Sequence, residues 1–131
     1  MNVTNGTFLL RFAVAIILII HGVGGMFNNG INDFGNYFLN PIGFAPLGVP
    51  LAWAIKLSHV ASAYSLLFEK YINWSVAITI LILMAGIVLV HFKEGWFVVG
   101  GGRNGVEFNF LLIFCLITIA FPNGFKKIAS K

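Results

Sequence analysis

The sequence predicts an all-α membrane protein: a bundle of four transmembrane helices with a short interfacial helix between the first and second spans. Three observations predict it. Hydrophobic residues make up 59% of the 131-residue chain. Charged residues make up 9%, where an average soluble domain carries about 25%. Four apolar runs, each close to the ~20 residues that cross a hydrocarbon core, take up most of the length. A chain this short is one domain. No room remains for a separate soluble catalytic domain, and no linker, low-complexity segment or internal repeat interrupts it.

The first span covers 7–26. It contains FAVAIILII, with Arg11 near its start and His21 near its end, before Gly22, Gly24 and Gly25 loosen the helix. Its flank carries no Lys or Arg side chain and no small-residue cleavage motif follows, so it reads as a retained helix and not a secretory signal. The connector 28–50 is rich in Asn, Gly and Pro. Within it Ile31, Phe34 and Phe38 recur at helical spacing among Asn32, Asp33 and Asn36, the pattern of a short helix lying in the interface. Pro41, Pro46 and Pro50 then break it. The second span, 51–68, is the most polar, with Lys56, Ser58, His59, Ser62, Tyr64 and Ser65. The third, 74–91, is apolar until His91. The fourth, 106–121, is led by Glu107 and stopped by Pro122-Asn-Gly. The sequons at Asn2, Asn5 and Asn73 are short matches that chance supplies.

Four spans put both termini on one side. That side holds Arg11, Lys70, Lys126, Lys127 and Lys131, against Lys93 and Arg103 opposite. An excess of Lys and Arg marks the cytoplasmic face, so both termini are expected in the cytoplasm. The basic residues sit at span ends, which suits lipid headgroups and not nucleic acid. Arg11, on the cytoplasmic side of the first span, is expected to snorkel toward the headgroups.

The other ionisable residues gather in the opposite leaflet. At about 1.5 Å rise per residue, His21 lies roughly 8 Å inside its end of the first span, and Lys56 and His59 roughly 8–12 Å inside the start of the second. His91 closes the third span there and Glu107 opens the fourth. A charge facing lipid at mid-depth costs about 2.5–3.5 kcal/mol on insertion scales, so these groups are expected to turn toward each other. They are candidates for a shared pocket and for proton exchange. Glu107 is the expected partner for Lys56 or a protonated histidine. Trp53, Trp96 and Phe97 are expected at the mouth. The competing reading is that each histidine simply bonds a neighbouring helix as packing glue.

Several chemistries lack a pattern. The histidines lie on separate spans without metal-ligand spacing, so no metal is assigned. One cysteine, Cys115, cannot form an internal disulfide or a redox pair. Gly100-Gly101-Gly102 precedes Arg103 without the strand-turn-helix context of a phosphate loop, and no serine sits in a nucleophile motif.

Taken in order, Leu10-Arg11-Phe12, His21-Gly22, the connector segment from Gly43 to Pro50, and the run from His91 through Gly95 and Phe97 to Gly105-Val106-Glu107 resemble the DoxX family of small four-span bacterial membrane proteins. The likeness covers nearly the whole chain. Where that family often has an acid in the second span, this chain has Ser58-His59, and Lys56 supplies a positive charge on that helix. The resemblance implies the bacterial inner membrane and a role linked to quinone or thiol redox chemistry, with other membrane subunits or further copies as partners. The alternative it implies is a non-catalytic accessory or assembly subunit. A solute pathway is disfavoured, because the apolar third span and the lack of paired broken helices do not fit a transporter.

Overall fold

The first apolar run coils into α1 (Phe8–Val23). It stops where Gly24 turns extended and Gly25 takes a left-handed φ of 84°. Its buried residues Arg11, Val14, Ala15, Leu18 and Gly22 repeat every three or four positions and so form one face. These features come from a computed structural model, which describes residues 3–100 and 102–125. Lys126, Lys127 and Lys131 of the topology count, Gly101 of the glycine run and the sequon at Asn2 lie outside the described residues.

The connector is more helical than its prolines suggest. The short helix α2 (Gly30–Asp33) continues into wider π-type turns over Phe34–Phe44, with Pro41 inside them. Gly43 kinks them just before their end, with a non-helical φ of 113°. Ile31 and Leu39 bury against Ala52 of the next helix, with Met26, Phe34, Phe38, Leu51 and Trp53 around them. The Trp53 indole N–H donates to Asn32 Oδ1 at 2.9 Å, which fastens the connector to the bundle.

The second run is α3 (Gly48–Phe68), which starts three residues before the predicted Leu51. Pro50 does not break it, because amides in a first helical turn have no intrahelical partner to lose. The freed amide of Gly48 instead donates to Asn40 Oδ1 at 2.9 Å. A tight turn follows, with Glu69 and Tyr71 both left-handed. Then come α4 (Ile72–Leu89), a single 3₁₀ turn (His91–Glu94) and, after a loop, α5 (Glu107–Ala120).

Helices α1, α3, α4 and α5 form a closed ring. Among the described residues α1 touches α3, α3 touches α4, α4 touches α5, and α5 returns to α1. The centre is Val14, Ala15, Leu18, Ala63, Leu66, Val76, Leu112, Leu116 and Ile119. At Gly22 the helices α1 and α3 approach so closely that a Cβ would lie 2.7 Å from Val60 Cγ2 and 3.0 Å from the Lys56 carbonyl oxygen.

The described residues are therefore all-α, with five α-helices. Two of them, α3 with 21 residues and α4 with 18, are long and apolar enough to cross a membrane. The other two ring helices, α1 with 16 residues and α5 with 14, are apolar but shorter.

Candidate functional site

One end of the ring collects the C-terminus of α1, the N-terminal half of α3, the C-terminus of α4 and the start of α5. There His21, Lys56, His59 and His91 line a single cavity of about 420 Å³. The close approach at Gly22 sets the first contact: Lys56 Nζ donates to the His21 carbonyl oxygen at 2.8 Å. An ammonium carries three donors, so two remain for a ligand.

His91 is oriented by a loop. Its Nδ1 lies 2.6 Å from the Asn104 carbonyl oxygen. A carbonyl oxygen only accepts, so Nδ1 carries the proton of this contact. In the neutral ring Nε2 is then an acceptor. Gly86 leaves space beside it: a Cβ there would lie 3.8 Å from His91 Cδ2 and 3.5 Å from Asn109 Nδ2.

His59 sits deepest, with 8% of its surface exposed. Neither of its ring nitrogens has a hydrogen-bond partner among the described residues. It also borders a second chamber of about 40 Å³, shared with His21 and Asn109. A buried imidazole without partners is unfavourable, so His59 holds hydrogen-bonding capacity that the protein itself does not use.

Three expectations from the sequence need correction. Glu107 is not in the cavity. Its carboxylate accepts from the backbone N–H of Val98 at 2.7 Å and of Val99 at 3.3 Å, and it lines a separate crevice with Phe108 and Leu111. It closes the preceding loop onto the N-terminus of α5, where a negative charge is favoured. The mouth residues also lie elsewhere. Trp53 belongs to the connector cluster, Trp96 packs on Phe110 with ring centroids 5.4 Å apart, and Phe97 is exposed. Gly24, Gly25, Gly30 and Phe34 border the cavity instead. Arg11 does not snorkel. It is 1% exposed, and its guanidinium donates to Glu69 at 2.7 Å, to the Leu66 carbonyl at 2.9 Å and to Thr7 Oγ1 at 3.2 Å.

The sequence reading missed Asn109, which lines the cavity from α5 and donates weakly to the Leu83 carbonyl at 3.5 Å. The available signal was an amide inside an apolar span, subject to the same rule as the histidines. Among the described residues no three His, Cys, Asp or Glu side chains are placed to hold a metal ion. At the other end of α3, Ser62 accepts from Thr79 at 3.1 Å, and its carbonyl accepts from Ser75 at 3.4 Å. The Ser65 hydroxyl bonds the Lys70 carbonyl. These buried hydroxyls are satisfied within the protein.

Comparison with protein-family models, curated proteins and solved structures returned no match to this chain.

Proposed function

We propose that the chain is a four-span integral membrane protein of the DoxX kind, in a bacterial inner membrane with both termini cytoplasmic. Its cavity, on this reading, receives the headgroup of a quinone. The membrane reading is supported by the distribution of polarity. Arg11 and Thr79 are each 1% exposed, while Leu9 is 76%, Leu81 68% and Leu111 62% exposed. Polar groups inside and large apolar groups outside suit a surrounding of acyl chains. The α1 and α5 helices span about 24 Å and 21 Å at ~1.5 Å per residue, so flanking residues or local thinning of the bilayer complete their crossing.

The observation that carries the quinone reading is the convergence of Lys56, His59 and His91 on one cavity with mixed donors and an oriented acceptor. A quinone carbonyl accepts from Lys56. A quinol hydroxyl donates to His91 Nε2. Imidazole is a common proton donor and acceptor in such chemistry. Reducing a quinone also takes two electrons, and the lone Cys115 offers no carrier for them. A redox partner subunit supplies or removes the electrons, and this chain holds and protonates the ring.

Titration of the purified protein in nanodiscs with a soluble quinone, in oxidised and reduced forms, tests this. Saturable binding weakened at least tenfold in His91→Ala (about 1.4 kcal/mol) is the expected result. No binding in either form rejects the reading. The absence of a second thiol also favours a second reading, an accessory subunit without chemistry of its own. Native mass analysis after gentle extraction separates the two: a chain that emerges without partners in several detergents counts against the accessory role.

A further inference from the structure

The cavity's charge is one-sided. The chain has four acids: Asp33, Glu69, Glu94 and Glu107. Asp33 accepts from Asn29 Nδ2 at 2.9 Å. Glu69 pairs with Arg11 and Glu107 holds the backbone amides of Val98 and Val99. Glu94 sits exposed in the 3₁₀ turn. None of the four lines the cavity, whereas Lys56 and three imidazoles do. Lys56, partly buried, meets a neutral carbonyl oxygen. An ammonium drawn out of water without a counter-charge is unfavourable, and an incoming anion relieves that. His59 borders the cavity as well, but both of its unpartnered nitrogens are sealed beneath the surface, so it supplies no counter-charge to Lys56.

We propose that the natural ligand bears its own negative charge on an oxygen attached to an apolar ring, as an ionised hydroxyquinone or acidic phenol does. This rests on the quinone reading above and narrows it. The anionic oxygen takes the spare donors of Lys56. A second ring oxygen accepts from Asn109 Nδ2, and His91 Nε2 is left for the hydroxyl of a reduced ring. The rest of the ring lies against Phe34, Ile55 and Leu83. Binding is a charge-assisted hydrogen bond with no covalent step. The same chemistry, an oxygen-borne charge on an apolar body, also occurs in a fatty acid, so the experiment separates the two sources.

The test compares hydroxynaphthoquinone, at a pH where it is ionised, with its methyl ether and with laurate. Each is titrated into wild-type protein and Lys56→Gln and Lys56→Arg variants in neutral-lipid nanodiscs. The expected result is that the ionised quinone binds wild type about 30-fold tighter than the ether. The Lys56→Gln change should bring the two quinones to similar affinity, erasing that preference, and Lys56→Arg should keep it. The anion enters neutral lipid less readily than the ether, so partitioning works against the expected result. Equal affinity of the two quinones for wild type overturns the anion inference and leaves the quinone reading standing. Binding of laurate but of neither quinone overturns both and assigns the charge to an acyl acid. Binding of none of the three overturns both as well. The wild-type comparison does not depend on whether the variants fold.

Discussion

The buried ion pair between α1 and the turn after α3 gives an asymmetric prediction. Arg11 is 1% exposed and Glu69 keeps 28% exposure. Changing Glu69→Gln removes the carboxylate that balances a buried guanidinium. Losing one partner of a buried pair costs about 3–5 kcal/mol, and access of water to Glu69 tempers this to about 2–3 kcal/mol. Changing Arg11→Met removes the buried charge and fills much of its volume with an unbranched helix former. Glu69 then turns outward, and the Leu66 carbonyl loses a donor, so the expected cost is about 1 kcal/mol. The gap of about 1–2 kcal/mol is about a 5- to 30-fold difference in the folded-to-unfolded ratio. Unfolding in mixed micelles against rising dodecyl sulfate, followed by tryptophan fluorescence, measures it. Glu69→Gln should unfold earliest, with Arg11→Met and the double variant close to wild type. A snorkelling arginine would make Glu69→Gln nearly silent. That result, or Arg11→Met as the more damaging change, refutes the inward pairing.

Other predictions follow from single contacts. Gly22→Leu forces α1 from α3, because the nearest atoms include the Lys56 carbonyl and the Val60 amide, which cannot rotate away. An overpacking cost of about 1–3 kcal/mol in micelle unfolding is expected, together with loss of quinone binding. Glu107→Gln should speed hydrogen exchange at Val98 and Val99 about tenfold and leave ligand affinity unchanged, since its carboxylate serves those amides. A large drop in affinity would return Glu107 to the cavity. Trp53→Phe gives up the bond to Asn32, a loss of about 1 kcal/mol that should appear as faster exchange over 30–44 before the ring helices respond. Thr79→Val strands the Ser62 hydroxyl and should destabilise by about 1–2 kcal/mol with quinone affinity intact.

Much of the helical framework was legible because apolar run length and helix breakers are local signals. Helices α4 and α5 begin and end within two residues of the predicted 74–91 and 106–121. The start of α3 was misplaced because Pro50 was read as a breaker, although a first-turn proline gives up no intrahelical bond. The end of α1 was placed at 26, but Gly25 already has a left-handed φ. Grouping His21, Lys56, His59 and His91 at one end followed from counting depth along antiparallel helices, and these side chains do line one cavity. Partners were not legible. Arg11 finds Glu69 across 58 positions, and only the turn geometry after α3 brings them together. Glu107 is taken by amides eight and nine residues upstream, a loop closure with no pattern in the sequence. Asn109 gives a weaker signal than a charge, although it is as buried as Ser65 and Ser75.

Photoaffinity labelling with an azido-quinone in nanodiscs, mapped by peptide mass analysis, tests the occupied cavity most directly. Adducts confined to 21–34, 55–59, 82–91 and the α5 segment around Asn109, lost when excess unlabelled quinone is added, are the expected result. Adducts scattered over the lipid-facing surface and indifferent to competitor, or concentrated in the crevice between α3 and α4 around Tyr64 and Tyr71, would contradict it.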